Sequence, residues 1–261
     1  MFLSLTIWAI TLITAILFAS GRWWFPESAS THGEIIDRQF VVTLIVTGVV
    51  FIAAQVALGY LILRYRAKAD QEVKYTHGSG SIEVLWTVAT AVLFFAMVLA
   101  GVQAFSDLYL TAAPEDAISI EVTGQQFAWN IRYSGPDGKF GRTDPELVDD
   151  AVGNPLGLDD TDPAALDDIV VPTMAIPVNR PVQLILKSKD VTHSFSVREL
   201  RVKQDTVPGM VIPIHFTANQ TGTFEIACAE LCGLGHHRMR STIEVLSDLQ
   251  YSEWLRERSE Y

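Results

Sequence analysis

Three long stretches with no charged side chain lie in the first 104 residues, and they restrict what this chain can fold into more than any other feature. Phe2–Ala19 is 18 residues without a charge, 41–63 is 23 residues with Gln55 as its one strongly polar side chain, and 84–102 is introduced by Glu83, Trp86 and Thr87. At 1.5 Å per residue the first two make helices of about 27 and 34 Å, close to the ~30 Å hydrocarbon core of a bilayer. In lipid the backbone must satisfy its own hydrogen bonds, so these stretches are expected as transmembrane helices. The first has no positive charge ahead of it, and cleavage after Ala19 would put Leu17 where a small residue belongs. It therefore reads as a retained anchor and not as a removed leader. Gly21-Arg22-Trp23-Trp24-Phe25-Pro26 forms its exit, with aromatic rings at the interface and a proline to stop the helix.

Charge orients the spans. Arg64, Arg66, Lys68 and Lys74 follow the second stretch at once, which makes that loop cytoplasmic and places everything after Val102 outside. Residues 1–104 hold six basic and six acidic side chains, so the whole net charge of −11 belongs to residues 105–261. So acidic a domain is not drawn to nucleic acid or to anionic lipid, and a basic protein is its natural partner.

From Ile118 the pattern becomes short β-type runs separated by Gly, Pro and Asp. Eight strands are expected at 118–123, 127–133, 169–174, 182–187, His193–Val197, Ile212–Thr217, 223–227 and 241–246, with a closing helix at 247–258. The fold class is a membrane-anchored all-β protein, a sandwich or barrel after a transmembrane helical hairpin and an extra N-terminal helix. The expected divisions are 1–39, a hairpin at 40–104, and an extracytoplasmic domain at 105–261 with an acidic insert at 143–168. That insert carries nine Asp and Glu and no Lys or Arg. It reads first as a solvated loop; a landing surface for a basic partner and a weak calcium site at Asp159-Asp160-Thr161-Asp162 are the other readings.

The chemistry is concentrated in Cys228-Ala229-Glu230-Leu231-Cys232-Gly233-Leu234-Gly235-His236-His237-Arg238-Met239, which holds both cysteines of the chain. A disulfide across three intervening residues would close a short loop and gain little entropy. Two thiolates, an imidazole and a thioether are instead a soft ligand set that selects copper, with thioether a poor ligand for zinc. His193, far upstream, would complete it. A single blue copper needs one cysteine, so the second thiolate favours two bridged coppers, each with one histidine, His193 or His236, and with Met239 and a loop carbonyl as weak axial groups. His32, His77 and His215 have no soft neighbours and read as packing or surface residues, and His237 as a neighbour of the site.

Cys228-x-Glu230-x-Cys232-x-x-x-His236-x-x-Met239 together with His193 resembles the CuA motif of the cytochrome c oxidase subunit II family. The resemblance extends to the hairpin from about residue 40, to Glu83-x-x-Trp86-Thr87, to the aromatic strand at 124–133, to Lys203-x-Asp205-x-x-Pro208-Gly209 and to the closing helix. It implies a cupredoxin-like Greek-key β-barrel holding two copper ions on His193, Cys228, Cys232, His236, Met239 and the backbone carbonyl of Glu230. It also implies a magnesium ion shared with subunit I at the Glu230 side chain, electron uptake from a c-type cytochrome near Phe127 and Trp129, docking at Asp205, and a proton path starting at Glu83. Heme and the second copper site would then lie in subunit I, in a complex of membrane subunits that reduces oxygen to water and pumps protons. The location would be a bacterial plasma membrane, with the C-terminal domain periplasmic. Two departures stand out: Phe127 replaces the family's first tryptophan, and Met210 stands where arginine usually follows Pro-Gly.

Three other readings are weighed against this. A copper-free quinol oxidase subunit would not keep every copper ligand. The CuA module of another respiratory reductase would not need the membrane hairpin and would bring a large catalytic domain. A copper-carrying module would show histidine- or methionine-rich tracts, which are lacking.

Overall fold

The structure is a computed structural model that describes residues 1–22, 24–67, 75 and 77–259, without the side chains of residues 103, 104, 107 and 108. Trp23, Lys68 and Lys74 fall outside the described residues. The chain divides into two compact units, one of Met1–Phe25 with Asp37–Gln103 and one of Pro26–Ile36 with Ala104–Tyr261.

The first unit contains α1 (Phe2–Ala19) and most of α2 (Thr31–Arg64) and α3 (Gly80–Tyr109). Among the described residues three helices, Phe2–Ala19, Thr31–Arg64 and Gly80–Val102, are long and apolar enough to cross a membrane, and their side chains are largely exposed, as lipid-facing surfaces must be. Trp8 of α1 donates Nε1–H to Val56 O of α2 at 3.3 Å, and its ring takes the space that a Cβ at Gly59 would need, 2.3 Å away. Close approach at a glycine is what lets these two helices pack without a water-driven hydrophobic effect.

α2 begins at Thr31, ten residues before the apolar run does. Ser30 supplies the start: its Oγ accepts the amide of Gly33 at 3.2 Å and donates to Leu200 O at 2.7 Å. The segment before it is tied to the β unit by Ala29 N→Glu199 O at 2.7 Å and Asn219 N→Ala29 O at 3.0 Å. A search for apolar periodicity sees neither the polar first turn nor the strap that precedes it.

The second unit is a sandwich of two five-stranded sheets. One runs β3-β2-β1-β5-β8 and the other β4-β10-β9-β6-β7, with β1 Ile118–Gln125, β2 Ala128–Tyr133, β3 Ile169–Val171, β4 Met174–Pro177, β5 Pro181–Ser188, β6 His193–Val197, β7 Val202–Thr206, β8 Ile212–Thr217, β9 Gly222–Cys228 and β10 Arg240–Leu246. Period-two alternation sends Val182, Leu184 and Leu186 of β5 inward while Gln183, Ile185 and Lys187 are only partly covered. These pack with Ile120, Val122, Ile131, Phe195, Val197, Ile226 and Ile243 as one core between the sheets. α4 (Asp248–Ser259) closes one end through Tyr251 and Trp254, the latter 5.0 Å from Tyr133 between ring centroids.

Two expectations are corrected. The run 169–174 is two strands in different sheets, because Pro172 between them has no N–H for a ladder. β7, polar and with only its end residues Val202 and Thr206 buried, is a strand that sequence pattern did not predict. In the acidic insert, Asp144, Asp149 and Asp162 cap three single helical turns by accepting the amides of Glu146, Ala151 and Ala164. Asp159 accepts from Thr161 and pairs with Arg142 at 2.6 Å. Much of the aspartate in this segment therefore builds turns. Asp168 reaches inward to the buried guanidinium of Arg132, which also holds Glu121 at 3.0 Å.

Candidate metal centre

The predicted ligands arrive from three strands of one sheet and from the loop between two of them. β6 opens at His193, β9 ends at Cys228, and Met239 immediately precedes β10. β6 and β9 pair in the register Phe195↔Cys228, and the ladder continues as Ala229 N→Ser194 O at 2.9 Å and Cys228 N→Met239 O at 3.1 Å. Backbone hydrogen bonds thus fix His193, Cys228 and Met239 relative to one another. Cys232 and His236 sit in the intervening loop, His236 opening a single turn whose amides bond within the loop.

The sulfurs of Cys228 and Cys232 are 3.8 Å apart, far beyond a disulfide bond, and both cysteines are free. Around Cys232 Sγ lie His236 Nδ1 at 3.6 Å and Met239 Sδ at 3.8 Å, and Glu230 O is 3.1 Å from Cys228 Sγ. Donor atoms of His193, Cys228 and Cys232 all lie within 4.8 Å of one another. His193, Cys232 and Met239 are buried and Cys228 is half-buried. Burial, with the neighbouring Cys228 thiol, pushes the Cys232 thiol up to about 11. A buried thiol beside a second thiol is poorly ionised without a cation.

Two features test whether the site suits a metal. Two thiolates sharing one tetrahedral metal at roughly 2.3 Å stand about 3.8 Å apart, the separation found here. Nδ1 of His193 is buried with no hydrogen-bond partner, whereas Nε2 lies 2.8 Å from Asp190 Oδ1. An imidazole whose one nitrogen is held by a carboxylate and whose other nitrogen is bare is set up as a metal ligand. With a buried thioether among the donors, the set is soft and fits copper.

Asp190 carries no signal in the metal motif, and sequence reasoning missed it. It stands three residues before His193 and also accepts the amides of Gln126 at 2.7 Å and Val191 at 2.6 Å. Burial opposes its ionisation, but these amides and the His193 ring outweigh that and hold its carboxyl below the ordinary range. Gln126 was missed as well, and its side chain donates to Cys232 O at 2.5 Å. A third unnoticed residue is Gly124, where a Cβ would lie 2.9 Å from His193 Cδ2 and 3.2 Å from the Trp129 ring. Only a residue without a side chain lets the histidine ring settle against β1.

The remaining predicted residues are dispersed. Phe127 is 37% exposed and lies on the ligand loop, where a Cβ at Gly235 would be 2.4 Å from its ring. Trp129 is buried, edge-on to His193 at 6.1 Å and to Phe195 at 5.6 Å. Asp205 is in β7, paired in register with Ser194, and 3.8 Å from Lys203 Nζ. It lines an open hollow with Phe105, Tyr109 and Leu110. Glu83 lies in the first turn of α3, in the helical unit.

Comparison with known proteins covers both units. Residues 118–246 match the sequence model of the cytochrome c oxidase subunit II periplasmic domain, and residues 6–104 match that of the subunit II transmembrane domain. The alternative cytochrome c oxidase subunit 2 of Bradyrhizobium diazoefficiens is 32% identical over 263 residues, covering 100% of this chain and 93% of that one. Cytochrome c oxidase subunit 2 of Synechocystis sp. is 26% identical over 274 residues, covering 97% and 81%. A solved periplasmic domain of subunit II from Bradyrhizobium japonicum is 28% identical with a TM-score of 0.42, covering 57% of this chain and 98% of that one.

Proposed function

This chain belongs to the cytochrome c oxidase subunit II family, and on that premise we propose that it is the subunit through which a cytochrome c oxidase takes up electrons. In this reading it accepts them from a c-type cytochrome and delivers them to the heme of subunit I, where oxygen is reduced to water with proton pumping. The membrane is the bacterial plasma membrane and the β unit is periplasmic. The observation that carries the reading is the pair of unbonded cysteine sulfurs 3.8 Å apart, with imidazole, thioether and carbonyl donors on the same cluster.

Cys228, Cys232, Nδ1 of His193, His236, Met239 Sδ and the Glu230 carbonyl would together hold the two copper ions. When bound, the pair supplies a one-electron acceptor whose charge is shared over two metals. The protein supplies rigidity. The β6–β9 ladder, the Asp190 carboxylate and the glycine at 124 keep the donors in place, which limits rearrangement between oxidation states. Burial of Met239 and Cys232 excludes water from the sulfur side.

Phe127 offers an exposed aromatic edge in contact with the ligand loop, which suits electron uptake; Trp129 is screened from solvent and contributes by packing His193. Leu231 and Leu234 of the same loop stand 77% and 98% exposed, a surface suited to contact with another protein. The Glu230 side chain is assigned to a magnesium ion shared with subunit I, Asp205 to docking, and Glu83 to the start of a proton path, each on the family resemblance. Every donor that a copper-free quinol oxidase subunit could dispense with is kept, which disfavours that alternative.

The test is copper loading of the full chain. Two coppers per chain and a seven-line mixed-valence EPR spectrum are expected, lost in Cys228→Ser and Cys232→Ser. One copper with a four-line spectrum, or none, refutes the dinuclear reading.

A further inference from the structure

The ligand set is held in two different ways. His193, Cys228 and Met239 are fixed by the β6–β9–β10 ladder, but Cys232 and His236 belong to a loop outside it. The hydrogen bonds of the turn at its end, His236 N→Gly233 O at 3.1 Å, Arg238 N→Gly235 O at 2.8 Å and Met239 N→His236 O at 3.2 Å, are internal to the loop. Among the described residues, and apart from the sulfur contacts of the flanking Cys228 and Met239, a single hydrogen bond ties the interior of the loop, 230–237, to another segment of the chain. That bond is Gln126 Nε2–H to Cys232 O at 2.5 Å, and it comes from the opposite sheet, at the β1–β2 turn. The backbone amide of the same residue donates to Asp190 Oδ2 at 2.7 Å, while Asp190 Oδ1 holds His193 Nε2 at 2.8 Å.

We propose that Gln126 is a positioning residue of the metal centre, clasping the loop half of the ligand set with its side chain and the His193 half, through Asp190, with its backbone. This rests on the copper reading above and goes beyond it, since it assigns a role to a residue that touches no metal. The β1–β2 turn is built for the task. The Phe127 ring lies flush on the loop, because a Cβ at Gly233 would sit 3.2 Å from its Cε1 and 2.7 Å from Gln126 Nε2. A shared clasp fixes Cys232 and His236 against His193 by way of a third segment, so displacement of one half is transmitted to the other. Two bridged metals need this more than one metal does, because even sharing of an electron requires matched donors on both.

Gln126 is itself exposed, so its replacement leaves the core untouched, and the clasp predicts a local effect. The experiment compares Gln126→Leu and Gln126→Ala with the wild type as full chains in nanodiscs, first metal-free and then copper-loaded. In the metal-free chain the amides of His236, Arg238 and Met239 should exchange about fivefold faster, the loss of one hydrogen bond, while those of Phe195, Val197 and Ile226 stay unchanged. After loading, the EPR hyperfine pattern of both variants should depart from the wild-type pattern toward unequal sharing. Unchanged exchange and unchanged EPR, with or without slower oxidation of a cytochrome, overturn the proposal and leave Gln126 as a surface residue. Faster exchange spread over both sheets overturns it too, by showing a general loss of stability. If the wild type itself binds no copper, the underlying metal reading fails, whereas the exchange comparison still decides whether the clasp exists.

Discussion

Replacing Asp190 separates orientation from charge at the candidate metal centre. Its carboxylate accepts three hydrogen bonds, from His193 Nε2 at 2.8 Å, Gln126 N at 2.7 Å and Val191 N at 2.6 Å, and although burial opposes ionisation these donors hold its pKa below the ordinary carboxylate range. It is therefore ionised throughout the pH range in which copper binding can be measured. Asp190→Ala removes the group that holds the His193 ring, turning Nδ1 from a pre-aimed donor into one that must be ordered on binding. Loss of such an outer partner costs metal affinity by about 10- to 100-fold, or roughly 1.4–2.7 kcal/mol. Asp190→Asn keeps one acceptor oxygen of the same reach but loses the charge, so it should fall between wild type and alanine. The assay is competition for copper between the full chain and a chelator of known affinity, repeated at two pH values between 6 and 8. The ranking should be the same at both, because Asp190 does not titrate there. Equal affinity of Asp190→Ala and wild type would show that His193 does not depend on this carboxylate, and would refute the use made of the orphaned Nδ1.

Two further outcomes are expected. Arg132→Leu strands Asp168, whose side chain is 0% exposed, and leaves Glu121 with Lys187 alone; breaking a buried pair by removing one partner costs about 3–5 kcal/mol. Burial already raises the Asp168 carboxyl against the opposing pull of Arg132 and the Gly141 amide, and without the arginine it rises further. A carboxyl with a raised folded-state pKa stabilises the fold below its unfolded value and loses that contribution as pH rises through the folded value. The variant should therefore recover thermal stability relative to wild type on going from pH 8 toward pH 4, and an invariant difference would count against an unpaired Asp168. Oxidation of a basic c-type cytochrome by the assembled enzyme should slow steeply as salt is added, since the whole net charge of −11 falls in residues 105–261. A flat salt response would remove the acidic surface from the docking step.

What the sequence revealed and what it hid follow from how each part is held together. The apolar spans are legible because lipid imposes one rule along the whole length of a helix, and α1 begins and ends with the apolar segment Phe2–Ala19. The start of α2 at Thr31 is not legible, because it depends on Ser30 Oγ and on a strap whose partners, Glu199 and Asn219, are far off in sequence. β7 escaped for a similar reason. Only its end residues are buried, so alternation is weak, and it is held as a strand by pairing along its whole length with β6, from Val202 opposite Val197 to Thr206 opposite His193.

The candidate metal centre divides in the same way. Cys228, Cys232, His236 and Met239 announce themselves because one loop must carry several donors at fixed spacing, and chemistry restricts which residue types can serve. The groups that aim those donors are bound by no such restriction. A carboxylate, an amide and a missing side chain, at Asp190, Gln126 and Gly124, are common residues whose meaning appears only when β1 and β6 are brought face to face. Phe127 shows why this matters for function. Compared with the family pattern it looks like the loss of an electron-accepting tryptophan. In the structure its ring covers Gly233 and Gly235, on the same turn as the Gln126 bond to Cys232. On the proposed function the position therefore couples two demands, an aromatic edge for the donor and a lid for the ligand loop. Phe127→Trp must satisfy both, so a gain in electron uptake should come with a displaced loop and an altered EPR pattern. An unaltered pattern would mean that the larger ring is accommodated outward and that the two demands are independent.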